Sequence, residues 1–152
     1  MNAEELIGRY AAGDRNFTGV KLKGADLSGA DLKEINLTSA SLGGANLERT
    51  NLSRAILRRA NMADVWMSNA ILEEADLSGV TFRESNLSGV NLRNANLEGA
   101  NLKCTVWGET TSLCKANLRG AIWEDVVGDP LRKDTIMPNG EVVTDEIELP
   151  DG

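Results

Sequence analysis

Residues 85–104 read Ser85-Asn86-Leu87-Ser88-Gly89-Val90-Asn91-Leu92-Arg93-Asn94-Ala95-Asn96-Leu97-Glu98-Gly99-Ala100-Asn101-Leu102-Lys103-Cys104. Leucine falls on every fifth position, and the same beat runs from Phe17 to Trp107 without a slip, with Met62, Met67 and Phe82 among the few substitutes. An α-helix repeats every 3.6 residues and a strand every 2.0, so neither puts residues five apart on one face. The chain must turn a corner every five residues.

Within each pentad the position two before the large residue is small or β-branched, as in Ala25, Ala40, Ala55, Ala75, Val90 and Ala100. Asn or Asp usually lies between, as in Asp26, Asn46, Asn61 and Asn96. Small, polar, large reads in, out, in, the alternation of a very short strand. Two polar or glycine residues complete the corner. Gly19, Gly24, Gly29, Gly44, Gly79, Gly89 and Gly99 all occupy its second place, where a type II turn requires a positive φ. Four corners close a coil of 20 residues, so residue n stacks on n + 20 at the parallel-strand spacing of roughly 4.8 Å.

This pattern resembles the pentapeptide repeat family, whose motif is A(D/N)LXX, over residues 15–123. The resemblance implies an all-β fold, a right-handed quadrilateral parallel β-helix of about five coils. An N-terminal cap is expected over residues 1–14, with Asn2 capping a helix from Ala3 to Ala12 whose apolar face is Leu6, Ile7, Tyr10 and Ala11. After Trp107 the next large residue is Leu113, six on, which places a one-residue insertion within 108–112. Beyond Trp123 the beat stops, and residues 124–152 are expected to form an acidic, irregular tail that covers the last coil. There Pro138-Asn139-Gly140 predicts a turn or short hairpin between 135–137 and 141–143. Similar Pro-(Asn/Asp)-Gly tails occur in short cyanobacterial members of the family.

The formal net charge of −7 belongs to that tail: residues 124–152 hold nine acids and two bases, and 1–123 are neutral overall. There is no histidine and no CxxC pair, which excludes a Cys/His zinc site. Cys104 and Cys114 lie half a coil apart, on different sides under ideal stacking and too far for a disulfide, although the insertion between them leaves their pairing open. No nucleophile, base or phosphate-binding glycine motif departs from the repeat, so neither enzymatic activity nor a cofactor is expected. The opening residues lack the features of a secretory signal and no apolar run spans a membrane, which predicts a cytoplasmic protein.

Departures from the motif are where partners are expected. Apolar residues replace Asn/Asp at Ile56, Trp66, Ile71, Val106 and Ile122, and Arg54, Arg58 and Arg59 lie near the first three in sequence. Aromatic and arginine side chains are enriched at protein interfaces, so Trp66, Ile71, Ile56, Arg54, Arg58 and Arg59 form the candidate partner surface. The expected function is a non-enzymatic interaction module for an unidentified protein, without direct nucleic-acid or membrane binding. A monomer is expected, with the C-terminal end as the place for any dimer. The family resemblance implies an alternative, a DNA mimic that binds and protects the type II topoisomerase gyrase. Mimicry requires a strongly acidic rod, which a neutral body provides only if one face collects the acids.

Overall fold

A computed structural model describes residues 1–144; the expectation for Asp145 to Gly152 lies outside the described residues. The chain is a parallel β-solenoid. Single-residue parallel bridges recur every five residues and join each position to the one 20 residues on, from Asn16↔Asn36 through Lys21↔Ser41 to Asn86↔Val106. The bridge residues therefore stack in four faces. The Leu positions are buried along the whole run and the small residues beside them are buried or nearly so, which fills the column with Leu, Met, Phe, Ile, Val and Ala. Each fully buried Leu stabilises the coil by about 1.5–3 kcal/mol.

Backbone hydrogen bonding explains the polar position. In the pentad from Asn36 to Ala40, the Asn36 amide donates to the Arg15 carbonyl of the preceding coil. The Leu37 and Ser39 amides donate to Ile56 and Arg58 of the following coil, and Ala40 closes the turn onto Leu37. That leaves Thr38, whose amide donates to Asn36 Oδ1 at 3.0 Å. The same side-chain bond recurs at Asp26, Asn46, Asn51, Asn61, Asp76, Asn86, Asn91, Asn96, Asn101 and Asn117. Asn and Asp are thus the acceptors for the one backbone donor that the coil itself leaves unpaired.

The second corner position has a positive φ at glycines such as Gly29 and Gly99, as the spacing predicts, and also, among the described residues, at fourteen with side chains, Glu34, Arg54, Asp64, Glu84 and Cys104 among them. The inter-coil ladder holds these residues in the left-handed region, at a cost of roughly 1–2 kcal/mol each.

Helix α1 spans Ala3–Ala11, and Asn2 Oδ1 accepts the Glu5 amide at 2.8 Å. Leu6 is buried, and Ala3 and Tyr10 pack on the first coil. Ile7 and Ala11 face outward, so the apolar stripe is narrower than expected. The Tyr10 hydroxyl donates to the Lys33 carbonyl at 2.8 Å, which fastens α1 over the open end of the column.

The other end departs from expectation. The loop at 108–111 shifts the stacking offset to 21, as in Asn91↔Ser112 and Asn96↔Asn117, in keeping with one inserted residue. The coil then continues past Trp123, through Val106↔Val127, Ser112↔Leu131 and Asn117↔Ile136, the last two offset by 19. Much of the expected tail is therefore a further turn of the column, shortened by one residue between Val127 and Leu131. Strand β1 (Thr135–Ile136) bridges Asn117 on one edge and pairs antiparallel on the other with β2 (Val142–Val143). The hairpin covers part of the last parallel edge. Cys104 and Cys114 are both free thiols.

Charges at the corners link coils. Arg54 pairs with Glu34 at 2.9 Å, whereas the stacked pairs Arg54 with Glu74 and Glu73 with Arg93 make no ion pair among the described residues. Arg58 pairs closely with Asp76 of the next coil. Burial raises the Asp76 carboxyl, but hydrogen bonds from Arg58 and Ser78 outweigh it and hold the group below its usual range. A carboxylate depressed in the folded state stabilises it above the unfolded value and loses that contribution as pH falls through the folded value. Asp76→Asn retains the acceptor for Ser78 and loses the ion pair. Thermal melts are expected to show a deficit below about 1 kcal/mol near neutral pH that closes as the pH falls below the usual carboxylate range. A deficit that persists unchanged in acid would rule out the ion pair as its cause.

Candidate partner-binding site

The four faces separate the six candidate residues. Ten residues are half a coil, so Ile56 and Trp66 lie on opposite faces, with Ile71 on the face that follows Trp66. Arg58 and Arg59 form the corner after Ile56, and Arg54 forms the corner before it. Two regions result: Trp66 with Ile71, and Ile56 with Arg58 and Arg59, while Arg54 stands at the corner shared by the Ile56 and Ile71 faces. Arg54 and Arg58 are held by Glu34 and Asp76, and the Arg59 stem lies where a side chain at Gly79 would stand. Of the apolar candidates, Ile56 is partly buried, whereas Trp66 is 60% exposed and Ile71 is 36% exposed.

Trp66 bridges Asn46 below and Asn86 above, and so takes a place that its stacking neighbours give to asparagine. Its side chain cannot accept the Ser68 amide, nor can Ile71 accept that of Glu73. Two local turn bonds are forgone, each worth about 1 kcal/mol. Farther up the Trp66 face, Val106 and Val127 are also exposed.

Beside Trp66 is a groove of about 360 Å³ lined by Asp64, Val65, Trp66, Glu84 and Asn86. Asp64 and Glu84 stand one above the other at the corner before the Trp66 face, both with positive φ. Glu84 pairs with its neighbour Arg83 at 3.3 Å. Asp64 makes no ion pair among the described residues, and Gly44 occupies the corner beneath it. Neither acid was singled out from the sequence, although stacking at n + 20 places one over the other.

Every corner of the column carries both signs of charge, for example Lys33, Glu34, Arg54 and Glu74 on one and Asp64, Arg83, Glu84 and Lys103 on the one diagonally opposite. Among the described residues, no group of three or more His, Cys, Asp or Glu side chains could hold a metal ion, and no helix is long and apolar enough to cross a membrane.

Comparison with known proteins agrees with this architecture. The family described as pentapeptide repeats matches in eight copies over residues 16–54, 35–74 and 75–105. The chain belongs to the pentapeptide repeat family. Among solved structures, it is similar to a pentapeptide repeat protein (Rfr23) from the cyanobacterium Cyanothece 51142, at 26% identity over 88% of this chain and 99% of that one, with a TM-score of 0.64. A pentapeptide repeat protein from the Arabidopsis thaliana thylakoid lumen is 31% identical over 68% of each chain, with a TM-score of 0.39. QnrB1, a plasmid-mediated fluoroquinolone resistance protein, is 23% identical over 74% of this chain and 70% of that one, with a TM-score of 0.33. No curated protein matches the chain.

Proposed function

We propose that this pentapeptide repeat protein is a non-enzymatic interaction module that binds a protein partner through the faces bearing Trp66 and Ile71. One observation carries the reading. At both positions a turn acceptor has been exchanged for an exposed apolar side chain, which the column does not need and which an interface uses. The column is a right-handed quadrilateral helix of about five coils followed by the shortened further turn at its C-terminal end. It divides into a cap at 1–14, a repeat body that reaches past residue 123, and a short acidic tail. It works in the cytoplasm as a monomer without binding nucleic acid or membranes, and a second copy would meet it at the C-terminal end, where Val127 and Val142 are exposed. Ile56, Arg58 and Arg59 serve a second surface on the side opposite Trp66, and Arg54 stands at the corner between that surface and the Ile71 face.

The DNA-mimic alternative is disfavoured by the mixed charge of every corner, because a mimic must present phosphate-like negative charge along one side. Two experiments separate the readings. Proteins retained from the source organism's lysate by the immobilised native chain are expected to be lost on Trp66→Asn and kept on Ile56→Asn; full retention by Trp66→Asn would refute this reading. A gyrase supercoiling assay with a quinolone is expected to show no protection, and protection would reinstate the mimic.

A further inference from the structure

The groove beside Trp66 combines two features that favour one kind of occupant. An indole 60% exposed offers a π face, which attracts a cation lying over it. Asp64 and Glu84 rise on one flank and supply two carboxylates, and Asn86 adds a neutral amide. Asp64 has no intramolecular ion pair among the described residues, and Glu84 is met only by Arg83, at 3.3 Å between side chains that are both about half exposed. The concavity is thus apolar on one wall and acidic on another. An apolar partner side chain would use the indole and leave the Asp64 carboxylate beside it uncompensated. An acidic one would be repelled. A lysine or arginine fits both walls, because its apolar stem lies along the ring while its charged head reaches the carboxylates.

We propose that this groove binds a lysine or arginine side chain from a basic segment of the protein partner. The inference deepens the partner-binding reading and rests on it. Arg83 already serves as an internal stand-in: the incoming cation takes over the Glu84 carboxylate and returns Arg83 to water. Binding should therefore weaken with added salt, because the charged groups involved are exposed.

The test is an NMR titration of the full chain, following the indole N–H signals of its three tryptophans. Trp107 is buried with its Nε1 donating to Thr105 at 2.7 Å, and Trp123 packs on Trp107 with ring centroids 5.3 Å apart, so both act as internal controls. Blocked arginine, lysine, leucine and glutamate tripeptides are the probes. Arginine and lysine peptides are expected to shift the Trp66 signal saturably and the other two signals hardly at all, while the glutamate peptide has no effect. Joint Asp64→Asn and Glu84→Gln substitution is expected to weaken binding about three- to tenfold, and Arg83→Gln to strengthen it. Asn and Gln at these exposed corners retain size and polarity, so the double variant keeps the fold. An equal response to the leucine peptide with no change in the double variant would overturn the cation assignment and leave the partner-binding reading standing. No Trp66 response to any cationic peptide would also overturn the assignment. The partner-binding reading itself fails only on full retention by Trp66→Asn.

Discussion

Gly128→Ala is expected to destabilise the C-terminal coil by about 3 kcal/mol. A methyl group at this position would stand 1.9 Å from the Trp107 carbonyl oxygen and 2.8 Å from its carbon, and the backbone there has φ +102°. The contact arises because the side between Val127 and Leu131 is one residue short, which draws the chain tightly across the preceding coil. Relief requires the segment to lift. Lifting breaks the bonds from the Trp107 amide to Val127 and from the Leu113 amide to Leu131. Hydrogen exchange should show the amides of Trp107, Leu113 and Leu131 losing protection, while those of Leu37 to Leu57 keep theirs. Gly99→Ala is the control: its φ is also positive, but nothing lies within 4 Å of the added methyl, and a cost of about 1 kcal/mol is expected. Equal effects at the two glycines would show that the short side is not strained against Trp107.

Thr111→Val is expected to cost about 2–4 kcal/mol despite its conserved shape. In a regular coil the amide at the place of Gly89 would donate to a carbonyl 19 residues on, as Gly24 does to Gly43. The inserted residue displaces that acceptor. The Thr111 hydroxyl replaces it, accepting from Gly89 at 2.9 Å and from Gly108 at 3.0 Å while donating to the Leu87 carbonyl at 2.9 Å. Valine leaves both amides without that acceptor in a partly buried site. Leu87 is less affected because its carbonyl also accepts from Val90. Thr50→Val makes the comparison, since Thr50 only donates, to a Leu27 carbonyl that Ala30 also serves, and a loss of about 1 kcal/mol is expected. Thermal denaturation of the two variants and of Thr111→Ser, which keeps the hydroxyl, separates these contributions. A Thr111→Val loss no larger than that of Thr50→Val would contradict the role assigned to the hydroxyl.

The β-solenoid was legible because its cause is local and repeats many times. Each Leu and each small residue reports the same inward geometry, and one slip of register stands out against that background, as the insertion before Leu113 does. The last turn was not legible for the converse reason. Shortening by one residue puts Gly128 and Arg132 where large apolar residues are expected, so Val127, Leu131 and Ile136 read as tail although they continue the ladder. The role of Asn and Asp was also hidden: outward polarity is visible in a sequence, whereas the unpaired amide of the first corner residue appears only when backbone bonds are counted. For the candidate site, the unusual residues could be seen, and the coil of 20 residues already sets Ile56 and Trp66 on opposite faces. Nearness in sequence joined Ile56 to Trp66, although ten residues carry the chain to the opposite face. Asp64 and Glu84 were passed over because each alone resembles an ordinary solvated corner residue.

The chain divides into residues that hold the column up and residues that break its rule at some cost to the fold, and we place Trp66 among the second. The melting temperature of Trp66→Asn beside the native protein tests this most directly. Asparagine supplies the acceptor that the Ser68 amide lacks, so an unchanged or higher melting temperature is expected, with a gain of up to about 1 kcal/mol. A fall of more than about 4 °C, equivalent to roughly 1 kcal/mol in a chain of this size, would mean that Trp66 supports the fold, and would contradict the account.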